Sequence, residues 1–302
     1  MDYAYHQPVL LNESIEGLNI KPDGIYVDLT FGGGGHSAEI LKRLENGRLF
    51  AFDQDHDAKA NASKFEDRSF TFIPANFRFV GRYLKMYGVE EVDGILGDFG
   101  VSSHQIDQPE RGFSTRGSGR LDMRMNIKSP VDASTIVNEY NEKRLQEIFS
   151  LYGEIHNARA LAGSIIAARA KKRIETTSEL TEILKKLAPR NREYKYFAKA
   201  FQALRIEVND EMKAIEEMLE QTPALIKPGG RLVLISYHSL EDRLVKNFIG
   251  KGNVEGREEK DFYGNLIRPF QPVNRKPVTA GEEELARNPR ARSARLRIAE
   301  RI

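Results

Sequence analysis

The sequence predicts an α/β fold, in which a mostly parallel sheet covered by helices on both faces is interrupted by an inserted, mostly helical domain. Three observations carry this. The first hundred or so residues alternate strand and helix signals, the pattern of consecutive βαβ units. A further strand signal, 231–236, follows only after a long stretch of helical signal. A stretch of that length without a fold of its own does not suit a compact domain. The expected division is 1–108 with 209–302 for the sheet domain and 109–208 for the insert.

The elements follow in order. Residues 24–30 read as a buried strand that runs into Gly32, Gly33, Gly34 and Gly35, and 36–44 as a helix with Ile40, Leu41 and Leu44 on one side. Residues 48–53, 69–75 and 92–98 are the next strands, separated by helices over 55–65 and 77–87. Past Asp98 the rhythm breaks. Residues 100–129, rich in Gly, Ser, Arg and Asp, read as a long ordered loop or binding surface. A helical signal then runs from 132 to 208, with Leu145, Ile148, Phe149, Leu161 and Ile165 apolar along 143–172. Thr176 and Glu179 form a capping box for a helix stopped by Pro189, and Asn209 is expected to cap a helix over 211–226. Pro228, Gly229 and Gly230 turn that helix into the fifth strand.

Composition removes whole classes of chemistry. With no Cys among 302 residues, disulfide frameworks, Cys-rich zinc sites, iron–sulfur clusters and thiolate nucleophiles are excluded. His6, His36, His56, His104, His156 and His238 show no paired ligand spacing, so no metal is expected. Apolar runs such as 232–235 are too short to span a bilayer, and 1–10 lacks the pattern of a signal peptide. A cytoplasmic protein with no membrane partner is the expectation.

The net charge of +2 is a cancellation. Residues 169–199 carry ten Lys/Arg against four Glu, a net +6; residues 286–302 carry six Arg against one Glu, a net +5; the remainder is −9. A basic insert and tail beside an acidic domain suit phosphate contact, although solvated helix ends would look the same. Arg111, Arg116, Arg120 and Arg124 are further basic candidates in the polar loop. Tyr194, Tyr196 and Phe197 either stack on bases or pack within their helix.

The glycine loop carries the sharpest signal. Gly33, Gly35 and Ala38 follow a strand and open a helix, with Asp53 at the end of the next strand. Glycines allow close ligand approach, a helix start offers unpaired N–H groups, and a carboxylate at that strand end can accept ribose hydroxyls. A dinucleotide would need a second mononucleotide-binding half after the fourth strand, where this chain has its polar loop and insert. One adenosine-bearing ligand fits better, with the methionine part of S-adenosylmethionine along the loop. Phe77 would then cover the adenine or simply belong to the core, and Asp98 would face the reacting group.

Several runs now identify a resemblance. Residues 28–37 around the glycines, 97–103 around Asp98, 111–114, 121–125, 201–206, 236–243 and 288–293 are similar to the bacterial ribosomal RNA small-subunit methyltransferase H family. The match extends from His6 to Arg301. The resemblance implies a class I methyltransferase (Rossmann-like) sheet with a helical insert. It also implies S-adenosylmethionine-dependent methylation of the exocyclic N4 of a cytidine in the decoding region of 16S ribosomal RNA. The RNA would be met free or within the small ribosomal subunit, and a homodimer is one assembly left open. Carried over residue by residue, the cofactor contacts would be Gly34, Gly35, His36, Asp53, Phe77, Asp98 and Gln105, beside Gly33 of the loop. His104 stands where the family pattern has Pro, and Gly97 and Phe99 stand where it more often has aliphatic residues.

Asp98 is the expected catalytic residue, because a carboxylate can orient an amine and stabilise the charge growing on its nitrogen. Contact with the cofactor alone is the alternative role. His238 is either a contact to the base edge or a hydrogen-bonded structural residue. Two rivals stand outside the methyltransferase class: a nicotinamide oxidoreductase, and a non-catalytic RNA-binding assembly factor.

Overall fold

The computed structural model describes residues 8–302. His6, where the resemblance begins, and most of the stretch 1–10 read against a signal peptide lie outside them. The first half of the sheet unit runs α1 (Leu11–Leu18), β1 (Ile25–Asp28), α2 (Gly35–Leu41), β2 (Arg48–Phe52), α3 (His56–Ala62), β3 (Phe70–Ile73), α4 (Val80–Met86) and β4 (Val92–Asp98). The chain then forms α5 (Ser103–Asp107), α6 (Ala133–Glu139), α7 (Glu142–Leu151), α8 (Ala158–Arg169), α9 (Thr177–Lys185) and α10 (Glu193–Asn209). It returns through α11 (Glu211–Leu225), β5 (Ile226–Ser236), α12 (Ser239–Lys251), β6 (Phe270–Pro272), α13 (Glu282–Arg287) and β7 (Arg295–Arg301). Two compact units result, 1–100 with 212–302, and 101–211.

The sheet unit holds seven strands in the order β3-β2-β1-β4-β5-β7-β6. β1 to β5 pair in parallel, and β7 runs antiparallel to both neighbours. This is the class I methyltransferase sheet, and the α/β class read from the sequence holds. Pleating sends successive residues to opposite faces. Val27, Ile95, Leu232 and Leu234 join one core with Val80 and Leu84 of α4, Met218 of α11 and Phe248 of α12. Tyr26, Leu96, Val233 and Ile235 join another with Ile15 and Leu18 of α1 and Ile40 of α2. Burial on both faces explains why these strands read as continuous apolar runs.

The second unit has a core of its own, with Leu145, Ile148 and Phe149 of α7, Leu161 and Ile165 of α8, Leu180 and Leu184 of α9, and Phe201 and Leu204 of α10. The Thr176–Glu179 capping box is present. The helical stretch 143–172 resolves into α7 and α8, broken where Glu154 takes φ 48° beside Gly153. One reading changes. Asn209 ends α10 instead of capping α11, because Asp210 at φ 50° turns the chain. Its side chain donates to Met123 O and Arg205 O and accepts from Met125 N, tying the polar loop to α10. No helix among the described residues is long and apolar enough to cross a membrane.

Candidate functional site

The sheet order reverses between β1 and β4, since β1 leads outward to β2 and β3 while β4 leads to β5. The carboxyl ends of strands at such a switch point form the crevice where α/β sheets bind ligands. Asp28 ends β1, Asp53 follows β2, Asp98 ends β4 and Tyr237 follows β5.

Asp28 is fully buried and accepts hydrogen bonds from Ser37 Oγ (2.7 Å) and Thr30 N (3.0 Å). Thr30 Oγ1 in turn accepts the Asp98 backbone N–H at 2.7 Å. Asp28 thus fixes the strand end on which both the glycine loop and Asp98 depend. Burial raises its carboxyl to about 6.

Gly34 sits at φ 81°, and a Cβ there would lie 2.7 Å from the Phe65 ring, so conformation and crowding both demand glycine. A Cβ on Gly35 would overlap Pro8. Gly33 differs, since a Cβ there would meet nothing within 4 Å, which leaves its face open to a ligand. Asp53 pins this loop: Oδ2 accepts Gly32 N and Oδ1 accepts Asp55 N, each at 2.8 Å. A carboxylate oxygen has a further lone pair, so both bonds are compatible with ribose hydroxyls. Burial raises Asp53 to about 6.

The His36 ring is buried, 3.2 Å from Val9 O through Nε2, and burial lowers it to about 4, so it is neutral at pH 7. Its backbone, at the start of α2, is the part available to a ligand. Phe77 lies half-buried in a short 3-10 turn with its ring centroid 5.8 Å from that of Phe99. Asp98 Oδ1 accepts the Tyr237 hydroxyl at 2.8 Å. Burial is the main cause that lifts Asp98 to about 7; Asp28, Glu241 and Glu284 push the same way, and the Tyr237 hydrogen bond opposes them. The sequence places Tyr237 just after the fifth strand, at the sheet's carboxyl edge, but gives no sign of its bond to Asp98.

The profile of the MraW methylase family matches residues 3–302. The chain belongs to the MraW methylase family. Ribosomal RNA small subunit methyltransferase H of Cytophaga hutchinsonii is 58% identical, over 98% of this chain and 99% of that one. The protein of the same name from Phocaeicola vulgatus is 57% identical, over 98% and 97%. An rRNA methylase structure from Streptococcus thermophilus covers 99% of this chain and 98% of its own at 11% identity, with a TM-score of 0.43, too loose a likeness to bear on any residue.

A MraW methylase depends on S-adenosylmethionine, and the residues present fit that cofactor. Three carboxylates suit a ligand carrying sulfonium and ammonium charge, Gly33 faces open space, and Asp53 keeps acceptor capacity. Gln105 lies in the second unit, buried at the start of α5, where its Oε1 accepts Ser102 N at 2.9 Å in a capping box. His238 is a helix cap: its Nδ1 accepts Glu241 N at 3.4 Å and its Nε2 lies 3.0 Å from Glu241 Oε1. The structural reading of His238 therefore stands over the base-edge one.

The basic residues sort clearly. Arg124 is a staple of its loop, bonded to both Asp122 oxygens (2.8 and 2.7 Å) and to Ile127 O and Ser129 O. Arg111 holds Arg124 O, Arg120 pairs with Asp132, and Arg116 is exposed. In the tail, Arg295 and Arg297 both bind Asp242, and Arg301 binds Pro223 O. In the insert, Arg169 holds Val137 O and Tyr140 O, while Lys172 and Arg173 pair with Glu179 and Glu139. Lys185, Lys186, Arg190, Arg192 and Lys195 are exposed with Tyr194, whereas Tyr196 and Phe197 are core.

Proposed function

We propose that this methylase acts on small-subunit ribosomal RNA and methylates the exocyclic N4 of a cytidine in the decoding region of 16S RNA. The names of its relatives support ribosomal RNA as substrate. The observation that carries the nitrogen chemistry is Asp98, a carboxyl at the switch point whose value of about 7 matches a base working near neutral pH.

A cytosine amino group is a poor nucleophile because its lone pair is delocalised into the ring. S-adenosylmethionine supplies, when bound, a methyl group on a positively charged sulfur. Asp98 accepts an N–H of the amine, turns its lone pair out of conjugation and stabilises the charge that develops on nitrogen. On receiving the methyl group the amine nitrogen would carry one proton too many, and Asp98 would take it, while the neutral thioether would be left as the other product. Gly33, Gly34, Gly35, the His36 backbone, Asp53 and Phe77 hold the cofactor, and Gln105 is the further contact that the family resemblance implies.

The insert, 109–208 as read from the sequence, is the RNA-recognition domain. Five exposed cations from Lys185 to Lys195, interleaved with exposed Tyr194, support this reading, because phosphates and an unpaired base are what they would meet. A target base must leave its stack for in-line transfer. Mass spectrometry of ribosomal RNA from cells lacking the protein tests the assignment. One N4-methylcytidine should disappear from the decoding region; an unchanged modification set would refute it.

A further inference from the structure

We propose that Tyr237 is a positioning residue for methyl transfer: its hydroxyl, 2.8 Å from Asp98 Oδ1, fixes the orientation of that carboxyl and keeps it an acceptor for the reacting amine. The inference rests on the reading of Asp98 given above. Tyr237 is the one group among the described residues that donates to the Asp98 carboxylate, and it does so from a different strand end. One oxygen is thereby held while Oδ2 remains for the amine.

The surroundings make such a donor necessary. The groups that act on Asp98 are Asp28 from β1, Glu241 from α12 and Glu284 from α13, all acidic, and partial burial of the residue adds to their effect. Without Tyr237 these influences all favour the protonated form, which has lost its capacity to take a proton. An Arg or Lys in its place would overcorrect, because a cation against a carboxylate drives its pKa far below neutral and removes its basicity. A neutral hydroxyl orients and stabilises the anion while leaving it basic. Burial and the neighbouring carboxylates push the Tyr237 hydroxyl well above its usual range, so it stays a donor at every working pH.

Placing Tyr237 in the chain does not require this bond. Its backbone N–H donates to Glu241 Oε2 at 2.7 Å, and the residue follows directly from β5. Removing the hydroxyl alone is therefore a mild change to the fold.

The test compares Tyr237→Phe and Asp98→Ala with the unaltered enzyme in single-turnover methylation of undermodified small subunits across pH 5.5–9.5. S-adenosylhomocysteine affinity is measured in parallel. The unaltered enzyme should show an acid limb at or below neutral pH, because the bound sulfonium lowers Asp98 from its ligand-free value of about 7. Tyr237→Phe should move that limb up by about one unit, as expected for loss of one hydrogen bond to a charged group. It should lose roughly tenfold on the acid side of that limb and recover to within about threefold by pH 9, with cofactor-product affinity within about threefold. An unmoved limb, or a loss of equal size at every pH, would mean a structural role and overturn the inference. Full turnover by Asp98→Ala would instead sink the reading on which it rests. An inactive Asp98→Ala beside an unmoved Tyr237→Phe limb would reject the role of Tyr237 alone.

Discussion

At the scale of single residues, the glycine loop separates two kinds of constraint that a sequence motif merges. Gly34 is required by the protein itself, through positive φ and the nearby rings of Phe31 and Phe65. Gly33 meets nothing in the protein. Gly34→Ala should therefore destabilise the sheet unit by about 1–3 kcal/mol, through strain and overpacking, in a thermal melt. Gly33→Val should leave the melt within about 1–2 °C yet weaken S-adenosylhomocysteine binding by roughly tenfold or more in calorimetry. Unchanged S-adenosylhomocysteine affinity in Gly33→Val would show that the open face at Gly33 is not where the ligand lies. Asp53 and Asp98 were legible because a carboxylate just past a strand in an α/β pattern points to the ligand edge. The Tyr237–Asp98 bond was not legible, because its partners stand 139 residues apart and no periodicity links them.

Among elements, the parallel strands were legible for the same reason they are stable: burial on both faces selects unbroken apolar runs. β7 was hidden by its own arginines. Arg295, Arg297 and Arg301 alternate with Leu296, Ile298 and Ala299, and the segment read as a basic tail. In the fold these arginines neutralise buried Asp242 and cap carbonyls, so much of the tail's positive charge is internal. The polar loop behaves alike. Arg124 looked like an RNA contact, but it closes the turn from Asp122 to Ser129. Arg124→Ala should cost about 1–3 kcal/mol and increase proteolysis of the insert, since Asp122 loses its guanidinium partner and two carbonyls lose their donor. Gln substituted together at Lys185, Lys186 and Arg190 should lower the melt by no more than about 2–4 °C, the loss of two cations at the end of α9, while raising KM for small subunits at least tenfold, with a shallower salt dependence. If Arg124→Ala were neutral for stability and the triple change harmless to KM, the sorting of cations would be wrong in both directions.

For the whole molecule, the acidic crevice links activity to stability. Asp28 and Asp53 at about 6 and Asp98 at about 7 hold protons more tightly folded than unfolded. Their contribution to stability is complete below the ordinary carboxyl value of about 4 and is lost as pH rises through 6 to 7. His36, lowered to about 4, works the other way and loses its contribution as pH falls from about 6.5 towards 4. Three carboxyls against one imidazole give a net fall. The ligand-free melting temperature should decrease by about 2–6 °C between pH 5 and pH 8. S-adenosylmethionine, a cation, should raise it more at pH 8 than at pH 5. A flat profile without ligand would contradict the burial of these groups.

That gathering of negative charge also reaches into the cell. At physiological pH the enzyme without ligand carries carboxylates that hydrogen bonds satisfy but no cation among the described residues neutralises, and an occupant that binds solely the native state shifts the folding equilibrium in its favour. Small changes in that equilibrium alter how much protein escapes proteases. The lifetime of the enzyme is thereby coupled to the supply of methyl donor: a cell short of S-adenosylmethionine would lose not only the rate of methylation but the methylase as well.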